Sequence, residues 1–252
     1  MDMRISGKRA VVIGGSDGLG LACCEALAAE GVDLALFARD QGRLDAVATQ
    51  LAATHAVRVA GFAGDITKRA NVRDLAGWLT DTGGADILIV NTPRPPSPMR
   101  NFLDETEDNR WDDAYRKQLD GALSVLRSVT PLLLNKGWGR IVGITSASVK
   151  QPMPRHAISS IFRAGVQAAL KHLVDEVAAH GVTVNAVAPA TVLTPTFARF
   201  HDLDARVAAI PLRRAGKAEE LGATVAFLAS QQAGFITGQV IQLDGGMTRS
   251  LV

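Results

Sequence analysis

Residues 9–20 read "RAVVIGGSDGLG": an apolar run, then Gly14, Gly18 and Gly20 spaced as G-x-x-x-G-x-G, then the start of an apolar, helix-compatible stretch. Glycine allows a tight backbone turn and close approach of a ligand. A helix that opens directly after such a turn presents unpaired N–H groups to an anion. A glycine-rich turn between a first strand and a first helix therefore predicts a nucleotide-phosphate seat built from Gly14, Ser16, Asp17, Gly18, Leu19 and Gly20. Ser16 and Asp17 also read as caps of that helix.

The pattern repeats along the chain. Short apolar runs recur as "DLALFA" (33–38), "VRVAGFAGD" (57–65), "DILIVN" (86–91), "GRIVGITS" (139–146), "VTVNAVAP" (182–189) and "GQVIQLDGG" (238–246). Between them, amphipathic segments predict helices over 18–30, 41–54, 67–80, 109–136 and 156–180. Strand and helix alternating in this way predict an α/β chain, 1–252 as a single domain. Its expected form is a doubly wound, Rossmann-like parallel sheet of about seven strands with helices on both faces. Ligands in such sheets bind at the carboxyl ends of the strands. Two long irregular stretches begin there: "NTPRPPSPMRN" (91–101), whose four prolines predict a stiff, extended loop, and the segment 189–216.

Composition narrows the partners. The 252 residues are 47% hydrophobic and carry a net charge of +2 with no basic run, which predicts a small-molecule partner and no nucleic acid. No apolar stretch approaches bilayer length and the first residues pass straight into a strand, so no membrane association and a cytoplasmic location are expected. Cys23 and Cys24 are the only cysteines, and neighbours on one helix point too far apart to form an ordinary bridge. No metal site is expected.

At the tip of the second strand, an acidic side chain would select NAD. Ala38 and Arg39 stand there instead, and an arginine can pair bidentately with a 2′-phosphate. NADP is the expected cofactor, with NAD the alternative, because Asp40 and Asp17 give the field mixed sign.

Taken together, Gly14, Gly18 and Gly20, "GDIT" (64–67), Asn91, "GRIVGITS", "VNAVAPATVLTP" (184–195) and the closing "AEELGATVAFLASQQAGFITGQVIQLDGGM" (218–247) resemble the short-chain dehydrogenase/reductase family, particularly its 3-oxoacyl-carrier-protein-reductase-like branch. The resemblance implies that Asp65 and Ile66 hold adenine and that Pro189, Val192 and Thr194 contact the nicotinamide end. It also implies that Asn91 borders the cofactor. The substrate would be a small carbonyl or alcohol, and the assembly a homotetramer or homodimer built through helices 109–136 and 156–180 and the last strand.

The family works with an Asn, Ser, Tyr, Lys set. Carried onto this chain, the serine falls on Ser146, the tyrosine on Ser159, the lysine on Arg163 and the asparagine on Gln118. The leading threonine of the glycine loop is Ile13, and the stretch after the fourth strand reads Val90, Asn91, Thr92, Pro93.

Physical chemistry sets the consequence. A serine hydroxyl donates a hydrogen bond but needs a neighbouring base to move a proton, and arginine stays charged at working pH. Arg163 is therefore expected to hold the nicotinamide ribose, and another group must supply the proton. His156 is the first candidate: if a helix starts near Arg155, then His156, Ser159 or Ser160, and Arg163 share a face, and imidazole titrates near neutrality. Tyr115 and Lys150 are further candidates, as is an ordered water. Arg94 and Arg100 on the proline-rich loop could meet an anionic substrate. Two other readings stay open: a non-redox enzyme resembling the halohydrin dehalogenases, which pair serine with tyrosine and arginine and lose the glycine loop, and a nucleotide-binding protein without catalysis.

Overall fold

The computed structural model describes residues 2–195 and 203–251. Residues 196–202 of the second irregular stretch lie outside this description. Seven parallel strands form one sheet: β1 (Arg9–Ile13), β2 (Asp33–Ala38), β3 (Val59–Ala63), β4 (Ile87–Asn91), β5 (Gly139–Ile144), β6 (Val182–Pro189) and β9 (Val240–Leu243). Their order is β3-β2-β1-β4-β5-β6-β9. β5 and β6 are buried along their whole length, as strands covered by helices on both faces must be, whereas β3 and β9 at the edges are only partly buried.

A two-residue pairing of β7 (Val192–Leu193) with β8 (Gly216–Lys217) makes a second, minimal sheet that the sequence reading did not anticipate. Runs this short carry no alternation to detect.

The helices flank the sheet in two layers. On one face, Cys23, Cys24 and Leu27 of α1 (Gly18–Ala29), Leu44 and Leu51 of α2 (Gln41–His55) and Leu221 and Val225 of α8 (Ala218–Leu228) pack against Val12, Leu36 and Ile89. On the other, Val72, Leu75 and Leu79 of α3 (Arg69–Asp81), Val125 and Val129 of α5 (Gly121–Val129) and Val166 and Leu170 of α6 (Ala157–Val177) pack against Val11, Leu88 and Ile141. No described helix is long and apolar enough to cross a membrane.

Two expected helices differ from the reading. The stretch 109–136 is not one helix: α4 (Asp108–Ala114) passes into a π-helical turn over Tyr115–Asp120, then α5, then a 3-10 turn at Thr130–Leu133 entered through Pro131. Residues 134–136 lie beyond it, and Asn135 takes a left-handed φ of 62°. The stretch 156–180 becomes α6 followed by a 3-10 turn at Ala178–His180, closed by Gly181 at φ 74°. Side-chain periodicity sees neither change, because both are changes in the backbone hydrogen-bond register.

Candidate functional site

The chain doubles back between β1 and β4, which lie side by side although β2 and β3 intervene in sequence. The carboxyl ends of these two strands form the crevice where a doubly wound sheet takes ligands. Gly14 leaves β1 at φ 70°, and Asn91 ends β4 with its amide beside both Gly14 and Gly20. A Cβ on Gly20 would lie 2.0 Å from the Gly14 carbonyl oxygen, so the turn closes only with glycine there. Among the described residues nothing accepts from the N–H groups of Leu19 or Gly20. Two amides at a helix start, backed by glycine, fit a dinucleotide pyrophosphate. Thr194 stands across the turn, about van der Waals distance from where a Gly18 Cβ would sit.

Of the two residues read as caps, Asp17 is the one that acts: its carboxylate accepts from the Gly18 N–H at 2.7 Å. It also pairs with Arg43 at 3.1 Å. Arg43 comes from the first turn of α2, whose cap is Asp40. The tip of β2 thus presents two arginines, Arg39 and Arg43, and Asp40 and Asp17 are both occupied as caps. Sequence reasoning missed Arg43, which only the α2 turn brings to this corner.

Asp65 accepts from the Thr67 N–H at 2.9 Å and from its hydroxyl at 2.8 Å. Burial raises its pKa, but those bonds and the charges of Arg39 and Lys68 outweigh it and hold the carboxyl below its ordinary value. Ile66 is buried in the core beside Gly121, and little of its side chain faces any ligand.

At the other end of the crevice, Ser146, two residues past the end of β5, caps a 3-10 turn at Ala147–Val149. Its Oγ lies 2.9 Å from the Ser148 Oγ, a buried hydroxyl that no motif marks. Pro189 and Val192, buried, flank the exit of β6.

Arg163, two turns into α6, is buried. Its Nη1 donates to the carbonyls of Ile144 (2.9 Å) and Thr145 (3.1 Å), and its Nη2 reaches that of Pro93 at 3.5 Å. The guanidinium therefore stitches the end of β5 and the loop after β4 to α6. Burial, and after it the charge of Arg94, pushes its pKa down to about 10. Ser159, one turn earlier, is buried and makes no hydrogen bond among the described residues. Gln118 sits in the π-helical turn, fully buried, with neither Oε1 nor Nε2 bonded. Wide turns of this kind gather at functional sites, and an unpaired buried amide needs a water or a ligand.

The helix expected to begin near Arg155 begins two residues later, and the Ser160 N–H still bonds the His156 carbonyl at 2.8 Å, which keeps the four-residue interval. α6 starts at Ala157, and His156 is its N-cap, at φ −116°. Arg155 before it is left-handed at φ 60°, a conformation that cannot continue into a helix. The imidazole Nδ1 lies 2.7 Å from the Pro154 carbonyl, which fixes Nδ1 as the protonated nitrogen and leaves the Nε2 lone pair open. Tyr115 is half-exposed and packs edge-on against Phe162. Lys150 is exposed, and Arg100 is paired with Glu107 at 2.6 Å.

Comparison with known proteins agrees with this geometry. A family model described as enoyl-(acyl carrier protein) reductase matches residues 14–248. The chain is 32% identical to 2,3-dihydroxy-2,3-dihydro-p-cumate dehydrogenase of Pseudomonas putida, over 97% of this chain and 95% of that protein. It is 33% identical to the 3-oxoacyl-[acyl-carrier-protein] reductase of Staphylococcus epidermidis, over 95% and 98%. The chain belongs to the short-chain dehydrogenase/reductase family. A solved relative, L-sorbose reductase from Gluconobacter frateurii complexed with NADPH and L-sorbose, superposes with a TM-score of 0.92 at 30% identity, covering all of both chains.

As a short-chain dehydrogenase/reductase, the chain brings Gly14, Gly18, Gly20, Asn91 and Thr194 together around one crevice, and α6 joins Ser159 and Arg163 to the Ser146 end of β5. The residues it adds beyond sequence reasoning are Arg43, Ser148, Arg155 and Arg206. The last lies on α7 (Leu203–Ala208), and its charge and that of Arg155 both act on His156.

Proposed function

We propose that this chain is an NADP(H)-dependent oxidoreductase interconverting a carbonyl and an alcohol, like the 3-oxoacyl-carrier-protein reductases, through the non-standard set Gln118, Ser146, Ser159 and Arg163. The observation that carries the reading is the glycine turn with its two unpartnered amides beside Asn91. The NADPH in the L-sorbose reductase complex and the arginines at the β2 tip favour NADP over NAD. The same turn speaks against the dehalogenase-like alternative, in which an anion site replaces the cofactor.

Bound NADPH supplies the hydride. Asp65, with Ile66 behind it, borders the adenine end, and Arg39 with Arg43 takes the 2′-phosphate. Pro189, Val192 and Thr194 border the nicotinamide end. Ser146 and Ser159 donate hydrogen bonds to the reacting oxygen. Arg163 keeps two N–H groups beyond its carbonyl bonds for ribose hydroxyls. Gln118 holds the water that its unpaired amide requires.

His156 exchanges the proton. Burial and the charges of Arg206 and Arg155 lower its pKa below 6.5, against the opposing bond to Pro154. At neutral pH it is therefore the neutral base, suited to taking a proton from an alcohol. Carbonyl reduction should speed up as pH falls through this lowered value, and alcohol oxidation as pH rises through it. His156→Gln should flatten both profiles and slow turnover by about 10²- to 10⁴-fold. Steady-state NADPH oxidation with a ketone panel reads this, and a His156→Gln rate within twofold of the parent assigns the proton to water instead.

The assembly is a homodimer or homotetramer. Phe102 and Leu103, on a 3-10 turn before α4, and Ile161 on α6 are exposed, apolar surface a second copy would cover. Sedimentation at micromolar concentration should give two or four chains, and a monomer would refute it.

A further inference from the structure

We propose that Ser148 is a positioning residue for the reaction: its buried hydroxyl donates to the Ser146 Oγ, which commits the Ser146 hydroxyl to donating into the crevice, toward a carbonyl oxygen. This rests on the reaction proposed above, in which Ser146 binds the reacting oxygen, and adds the group that fixes which way that serine points.

The backbone on both sides of the serine pair is pinned. Arg163 holds the Ile144 and Thr145 carbonyls, and the Thr145 N–H donates to the Val187 carbonyl at 2.9 Å. Beyond the pair, the N–H groups of Val149 and Lys150 donate to the carbonyls of Ser146 (3.0 Å) and Ala147 (3.1 Å). The freedom left to the pair is the rotation of its two hydroxyls. Ser148 is 1% exposed, and among the described residues its Oγ has one hydrogen-bond partner, the Ser146 Oγ at 2.9 Å. A buried hydroxyl whose hydrogen goes unbonded costs free energy, so the Ser148 O–H points at Ser146.

That direction limits what Ser146 can do. A serine oxygen has two lone pairs. One takes the Ser148 O–H, and the other takes the Ser148 N–H at 3.2 Å. With both filled, Ser146 accepts nothing more, and its own hydrogen has no acceptor among the described residues. Ser146 is only partly buried, so that hydrogen is left for a molecule in the crevice. A donor aimed before the substrate arrives suits a carbonyl oxygen, on which negative charge builds as hydride is added. An alcohol finds no lone pair on Ser146 for its proton, which must go to another group. Buried as it is, Ser148 acts through Ser146 alone.

Two measurements test this. A neutron structure of the whole chain after exchange into D2O should show the Ser148 deuterium on the line to the Ser146 Oγ and the Ser146 deuterium turned into the crevice. A Ser146 deuterium pointing at Ser148 overturns the proposal. The second measurement is a double-substitution cycle, read by steady-state NADPH oxidation with the fastest ketone of the panel. Ser146→Ala should lower kcat by about 100-fold, and Ser148→Ala by about tenfold, the worth of one oriented hydrogen bond. Ser148→Ala orphans no buried group, so it should leave the NADPH affinity within about twofold and the thermal midpoint close to the parent's. In the Ser146→Ala background, adding Ser148→Ala should change kcat by less than about twofold, because the group it orients is already gone. An equal loss in both backgrounds, as a merely structural residue gives, overturns the positioning role, and so does a Ser148→Ala kcat within about twofold of the parent. Full activity in Ser146→Ala, or no turnover of any ketone, overturns the reaction and the positioning role with it, while the deuterium positions still decide the direction of the hydrogen bond.

Discussion

Gly20→Ala is expected to weaken NADPH binding by about 100-fold or more and to lower the thermal midpoint by about 3–10 °C. The added Cβ would meet the Gly14 carbonyl oxygen at 2.0 Å and the Asn91 amide at 3.0 Å. The first of these is backbone, so no side-chain rotation relieves the clash. Either Gly14 or the start of α1 must shift, and the N–H groups of Leu19 and Gly20 shift with it. Overpacking of this kind costs about 1–3 kcal/mol, and a chain of this size loses roughly 2–4 °C per kcal/mol. Gly77→Ala is the matched control: it sits within α3 with open space around it, so it should keep cofactor affinity and gain a few tenths of a kcal/mol or more. Fluorescence titration with NADPH and scanning calorimetry read both variants. A Gly20→Ala protein that binds NADPH within threefold of the parent would remove the basis for placing the pyrophosphate on α1.

Arg163→Met should cost about 2–4 kcal/mol of stability and with it most of the activity. The substitution leaves the carbonyls of Ile144, Thr145 and Pro93 without their donor in a buried setting. Removing a desolvated cation from beside Arg94 returns part of that cost, and for that reason the estimate stays below the sum of three orphaned groups. Thermal unfolding should drop by roughly 5–15 °C. Arg163→Lys should fall between parent and Arg163→Met, because one ammonium cannot span carbonyls from two segments with a planar fork. An unchanged midpoint in Arg163→Met would show that α6 and the two strand-end segments hold together without the guanidinium.

The architecture was legible because its signal is redundant. "ILIVN" and "RIVGI" are buried on both faces and read as parallel strands from their content alone, and each is bracketed by helices of ordinary periodicity. The glycine turn was equally legible, since Gly14 and Gly20 are required by contacts local to one strand-to-helix connection.

What escaped was set by hydrogen-bond register or by distance along the chain. Nothing in "YRKQLD" announces a π-helical turn, because its side chains suit an ordinary helix, yet that turn is where Gln118 is buried. The helix starts at Ala157 and not near Arg155, because the left-handed φ at Arg155 is not visible in a residue type that seldom adopts it. Arg43 on α2, Arg155 in the turn before α6 and Arg206 on α7 are single residues on separate segments, which leave no spacing to read.

The adjacent thiols of α1 have an experimental use. Cys23 and Cys24 are both fully buried and free, and burial pushes the Cys23 thiol up to about 12 and the Cys24 thiol well above its usual value. The Cys24 sulfur lies 3.6 Å from the Gly15 carbonyl oxygen, directly beneath the glycine turn. A thiol reagent reaches it only when that corner breathes, so alkylation of the natural chain becomes a clock for opening of the nucleotide pocket, with no label to engineer.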